Sequence, residues 1–104
     1  MDLFIATALV YNVDIPEIKS KSRERPVTDA RCQIMRRMYD NGDTTVKIAK
    51  LFHFDHTTVI YNIRKYNNLM KYDADFARRS AMIDKLISNK TMPNINLDEF
   101  IIIL

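Results

Sequence analysis

Asp55-His56-Thr57-Thr58 is the stretch of this 104-residue chain whose residue types and spacing could do chemistry. Asp55 suits the N-cap of a helix, because its carboxylate can accept from the free backbone N–H groups of the first turn. His56, Thr57 and Thr58 then stand at the exposed head of that helix. They offer donors, acceptors and methyl groups, which is what reading base edges in a major groove requires. Asp55 can also accept from a cytosine amino group, a role that competes with capping for its lone pairs. Tyr61 falls on the outer surface one turn later, and Arg64 and Lys65 come where they can reach phosphate. Arg23 and Arg25 form a second set. They lie in a basic stretch with no core-facing residue and can enter a minor groove as an arm does.

Other chemistries find no support. A phosphate-binding Walker loop needs several glycines before Lys-Ser/Thr, and the chain has one glycine. No serine sits in a motif that would expose and activate it as a nucleophile. His53 and His56 flank Asp55, but two histidines three apart with one carboxylate lack a third strong metal ligand. A cap plus surface groups is the reading for them. Cys32 is the single cysteine, which leaves no disulfide framework and no multi-cysteine zinc site. The chain reads as a non-enzyme with no cofactor, metal or nucleotide.

The reading helix needs a frame. Val59, Ile63, Tyr66 and Met70 recur at helical spacing and predict a helix over 56–70 with those four on its buried face. Just upstream, Thr44 can cap a short helix over 45–52, with Val46, Ile48, Ala49 and Leu51 as its packing face. His53-Phe54 makes the turn between them, so the pair has the spacing of a helix-turn-helix. Val27, Ile34, Met35 and Met38 predict a helix over 27–41, closed by Gly42, the residue type that most easily adopts the left-handed C′ conformation. Residues 3–11 read as a short, mostly buried helix capped by Asp2, and Asp14-Ile15-Pro16 opens one helical turn. Residues 19–26 read as an exposed basic loop. Asp73 or Asp75 caps a last helix carrying Phe76, Ile83, Leu86 and Ile87, ending near Asn89. Asn96 and Glu99 resemble a capping box for a terminal segment that ends in Phe100-Ile-Ile-Ile-Leu104. That apolar run should fold onto the core or onto a partner.

Charge distribution agrees with a polyanion as ligand. The net charge is only +3, yet residues 19–37 carry seven bases against two acids, and residues 64–90 seven against three. The N-terminal run Leu3 to Val10 is too short to span a membrane and follows Asp2 rather than a basic signal region, so a cytoplasmic, nucleoid-associated protein is expected.

Three blocks carry a family resemblance. They are Val13-Asp-Ile-Pro-Glu-Ile18 with Ser20-Lys21 and Arg23-Glu-Arg25, then Ala30-Arg31 with its helix, then Asp55-His-Thr-Thr-Val-Ile-Tyr-Asn-Ile-Arg-Lys65. Together they resemble the C-terminal DNA-binding domain (domain IV) of the bacterial chromosomal replication initiator DnaA, over about four-fifths of the chain. The resemblance implies an all-α, Trp-repressor-like fold of about six helices. By it, Asp55, His56, Thr57 and Thr58 would read the major groove and Arg23 the minor groove, with Arg25 as alternate. Lys21, Arg31 and the stretch Thr45-Val46-Lys47 would meet backbone phosphates. The chain departs from the family's pattern at His53-Phe54, which replaces Gly-Gly-Arg and is one residue shorter. Val46 stands where proline is usual and Tyr61 where histidine is common. No nucleotide-binding AAA+ module lies within the 104 residues, so ATP-driven origin melting is not expected of them.

The sequence therefore predicts a helix-turn-helix domain over 1–90 and a C-terminal extension over 91–104, expected as a short helix packing on the core or a partner. Its function would be sequence-specific binding of double-stranded DNA in replication initiation or its regulation, with no membrane partner. The alternative is a protein-interaction module or transcriptional regulator that keeps the fold without initiator-box recognition. Phe100 to Leu104 is the candidate surface for a homodimer or protein partner.

Overall fold

The computed structural model describes residues 1–89, which form six helices and no strand. They are α1 (Leu3–Tyr11), α2 (Ile15–Ile18), α3 (Arg25–Asp40), α4 (Thr45–Phe52), α5 (His56–Tyr72) and α6 (Ala74–Asn89). The expected terminal extension over 91–104, including Phe100 to Leu104, lies outside the described residues.

Local capping accounts for most of the helix starts. Asp2 accepts from the Phe4 and Ile5 N–H groups at 2.8 and 3.3 Å. The Thr44 hydroxyl accepts from the Lys47 N–H at 3.1 Å. Of the two candidate caps for α6, Asp73 is the one used, accepting from the Phe76 N–H at 3.1 Å. At the far end of α3, Gly42 takes φ +102°, a conformation costly for any residue with a Cβ. It lets the Asp43 N–H turn back to the Met38 carbonyl at 3.1 Å.

Helix α3 is central, packing against α1, α2, α4 and α5. Val27, Ala30, Ile34 and Met35 are fully buried along it, with Ala6, Ile18, Ile48, Phe52, Val59 and Ile83 brought from the surrounding helices. Phe52 closes the α4 end by stacking on Phe4, ring centroids 5.9 Å apart. Tyr66 meets Phe76 edge-on at 5.6 Å, which fastens α5 to α6.

Several sequence expectations are corrected. The basic loop ends at Glu24 rather than at residue 26, because Pro26 with its fixed φ suits the first turn of α3 and Arg25 begins that helix. On α4 the buried stripe is Ile48, Ala49 and Phe52, while Val46 and Leu51 are exposed. An eight-residue helix presents one inward stripe, and those three side chains fill it. On α5, Val59 is buried and Ile63 and Tyr66 are half-buried, but Met70 is exposed. The chain turns at Asp73 and α6 meets α5 through Phe76 on Tyr66, so the half-buried residue of the last turn is Leu69.

Asn62 is buried instead, an inward polar residue that apolar periodicity does not reveal. Its amide donates to the Thr58 carbonyl at 2.9 Å. Its own backbone carbonyl accepts the Cys32 thiol at 3.1 Å. Burial pushes the Cys32 thiol up to about 12, so this cysteine is a small core residue.

Candidate nucleic-acid interface

The head of α5 is built by Asp55. Its Oδ1 accepts from the Thr58 N–H at 3.1 Å, the Thr57 hydroxyl at 2.7 Å and the Thr58 hydroxyl at 3.0 Å. These bonds, the Thr57 hydroxyl first, hold its carboxyl below the usual carboxylate range. Around the cap, His56 and Thr57 are exposed and Thr58 is half-buried. Tyr61 and Arg64 continue the exposed face, and Tyr61 retains 65% of its surface.

The turn before Asp55 is closed by backbone geometry. His53 adopts φ +58°, a left-handed conformation unusual for a residue with a Cβ. Its N–H and that of Phe54 return to the Lys50 and Ala49 carbonyls at 3.3 and 3.0 Å. The His53 carbonyl accepts from Lys21 Nζ at 2.5 Å.

Loop 19–24 is held from inside by Arg31. This arginine retains only 6% of its surface. It donates to the carbonyls of Ile18 at 3.0 Å, Ser20 at 2.6 Å and Ser22 at 3.3 Å. Burial lowers its pKa, and the three carbonyls compensate the guanidinium for lost water. Arg31, expected at a DNA phosphate, is thus placed as the inner brace of the loop. Serine hydroxyls tighten the outside, Ser22 N–H donating to Ser20 Oγ at 3.1 Å and Glu24 N–H to Ser22 Oγ at 3.3 Å.

The two candidate arm arginines separate sharply. Arg23 is exposed on the loop and makes no hydrogen bond or ion pair with any described residue. Arg25 is on α3, where its Nε donates to Asp29 Oδ2 at 3.1 Å and its Nη2 pairs with Asp73. The Phe76 N–H and the hydrogen bond from Arg25 together hold Asp73 below the usual carboxylate range. Arg25 is therefore fastened to the start of α6, and of the two only Arg23 is free.

Between the loop and α5 lies a cleft of about 440 Å³. Lys21, Arg23, Arg31 and Lys65 line it together with Thr58 and Tyr61, and no carboxylate does. Five of the residues singled out from sequence thus meet there with the buried brace Arg31. Lys65 Nζ stands 3.9 Å from Asp29 Oδ1, an otherwise unpartnered buried oxygen. Thr45, Val46 and Lys47 form the first turn of α4, where Lys47 pairs with Asp43 at 3.1 Å. Phe54, which the sequence placed only in a turn, lies under two cations: Lys21 Nζ at 3.8 Å and the Arg31 guanidinium carbon at 5.0 Å from its ring centroid. An aromatic directly before a helix cap, in a chain rich in basic residues, was the only available signal for that role.

Among the described residues no group of three or more His, Cys, Asp or Glu side chains could hold a metal ion. No described helix is long and apolar enough to cross a membrane.

Residues 3–65 match the family described as bacterial dnaA protein helix-turn-helix. The chain is also 33% identical over 82 residues to the chromosomal replication initiator protein DnaA of Gloeothece citriformis (strain PCC 7424). That alignment covers 77% of this chain and 18% of the relative, so the chain spans under a fifth of the relative's length.

Proposed function

The chain belongs to the bacterial DnaA helix-turn-helix family, and from that premise we propose that it binds double-stranded DNA sequence-specifically in replication initiation or its regulation. Helix α5 lies in the major groove with His56, Thr57, Thr58 and Asp55 at base edges and Tyr61 beside them. Arg23 enters the adjacent minor groove. The backbone between the grooves passes the cationic cleft, where Lys21 and Lys65 face phosphate. Arg64 and the first turn of α4, at Thr45, Val46 and Lys47, meet flanking phosphates.

The observation that carries this reading is the carboxylate-free cleft joining the head of α5 to the loop of Arg23. A basic wall between two sets of outward polar side chains suits a phosphate strand flanked by two grooves. The test is a salt titration of binding to a duplex bearing an initiator-type box and to a scrambled duplex. The box should be preferred at every salt concentration, and affinity should fall steeply as salt rises because several phosphates are neutralised. A weak, salt-insensitive response without preference would overturn the reading in favour of a protein-interaction module.

A further inference from the structure

We propose that Phe54 is a positioning residue that locks the Arg23 loop to the head of α5, so that the two DNA-contacting elements move as one body. The inference rests on the reading above for its DNA consequences, but its structural part concerns the free protein. Three observations converge on this ring. Lys21 Nζ sits 3.8 Å from its centroid while donating to the adjacent His53 carbonyl. The Arg31 guanidinium lies 5.0 Å from the same centroid while donating to three carbonyls of the loop and its approach. Phe54 itself is half-buried against the core cluster.

A cation over an aromatic face is attracted by the negative ring quadrupole, and the attraction strengthens where water is partly excluded. Here Lys21 belongs to the Arg23 loop, Arg31 comes from α3 and holds that loop by its carbonyls, and the ring comes from the turn that starts α5. The ring therefore ties together segments 23 and 33 residues apart in sequence that share no other aromatic contact among the described residues. Lys21 acts in this arrangement as much by fastening the loop as by offering charge to a phosphate. Immobilising the arm before binding reduces the ordering cost at the moment of contact.

The experiment uses the full chain. Amide hydrogen exchange of Ser20 to Glu24 is measured without DNA in the unchanged protein and in Phe54→Leu, Phe54→Tyr and Lys21→Met. Phe54→Leu and Lys21→Met should speed exchange of the loop by about tenfold relative to α3, as expected for loss of a partly desolvated cation–π contact. Phe54→Tyr, which keeps the ring face, should restore protection. Lys21→Met removes the ring contact together with the bond to the His53 carbonyl, so the Phe54 pair isolates the ring. Lys21 is exposed, and its variant reports on the fastening even if Phe54→Leu does not fold. Unchanged loop protection in a folded Phe54→Leu overturns the inference whatever Lys21→Met does, and if Phe54→Leu does not fold, unchanged protection in Lys21→Met overturns it.

Binding to the box supplies a second arm. Arg23→Ala should weaken the unchanged protein about tenfold but the Phe54→Leu protein by less than about threefold, because a loosened arm contributes little to discriminate. Strictly additive losses overturn the coupling. If the unchanged protein shows no box preference, the functional reading falls and the exchange arm alone decides the inference.

Discussion

The Oδ1 atom of Asp55 accepts the Thr57 hydroxyl at 2.7 Å, so the residue that caps α5 also orients a side chain on its exposed face. The Thr58 N–H and hydroxyl arrive at the same oxygen. An ionised carboxylate only accepts, so both threonine hydroxyl hydrogens point at Asp55 Oδ1. That leaves the lone pairs of the two hydroxyls as acceptors. Asp55 Oδ2 has no hydrogen-bond partner among the described residues, so capping occupies one oxygen and leaves the other open for the base contact proposed above.

Base reading at this helix head makes the first prediction. His56→Ala and Thr57→Ala should each weaken binding to the specific box by roughly 1–3 kcal/mol and leave binding to random duplex nearly unchanged. Competition binding with the two duplexes measures the difference. Equal losses on both would remove these residues from sequence discrimination.

Arg23 and Arg31 should behave as opposites. Arg23→Ala should leave unfolding free energy within about 0.5 kcal/mol, since the side chain is exposed and unpaired. Its binding loss should concentrate at A·T-rich minor-groove positions. Arg31→Ala should destabilise the fold by about 1–3 kcal/mol, because the buried carbonyl of Ile18 and the part-buried carbonyls of Ser20 and Ser22 lose their donor. Urea denaturation separates the two. Wild-type stability in Arg31→Ala would contradict the brace.

Acid should weaken the fold, with one carboxyl opposing the trend. Asp55, Asp73 and Asp75 have depressed pKa values, so the stability they contribute is present above the ordinary carboxylate value and is lost as pH falls through their folded values. Asp29 is raised, chiefly by burial, with Arg25 and Lys65 pulling it back. The folded state then holds its proton more tightly than the unfolded one. Its contribution grows as pH falls through the raised value and is unfavourable above it. Asp29→Asn should therefore compare best with the unchanged protein at neutral pH and lose that relative advantage near pH ~4. Thermal unfolding at the two pH values is the measurement, and a difference independent of pH would refute it.

Cys32 should be inert in the folded chain. With the thiol pushed up by burial, its reactive thiolate form is scarce at neutral pH. An aromatic disulfide reagent should label it only after unfolding in urea. Rapid labelling of native protein would mean that the Cys32–Asn62 contact opens readily.

Capping and turn chemistry make much of the fold legible in the order of residues alone. Asp2, Thr44 and Asp55 announce helix starts, and Gly42 a helix end, because each acts on backbone groups within a few residues of itself. Burial is harder to read on α4 and α5. Val46 and Met70 have the right side chains for a core, but whether a neighbour covers them depends on how α3 and α6 lie. Asn62 departs in the other direction, since its amide is satisfied by the Thr58 carbonyl and can sit inside.

The sequence alone determined the capped head of α5 at Asp55 to Thr58, because an N-cap and the residues after it are held by bonds spanning two or three positions. Only the tertiary structure decided what each basic residue of the block after α2 does. Arg23, Arg25 and Arg31 are alike as sequence. Folding leaves the first open, pairs the second with Asp73, 48 positions away, and buries the third under the loop. It also sets Lys21 on the His53 carbonyl, 32 positions on, beside Phe54. A long cationic side chain takes whatever acceptor or ring the fold brings within reach, and that partner is chosen by helix packing rather than by spacing along the chain.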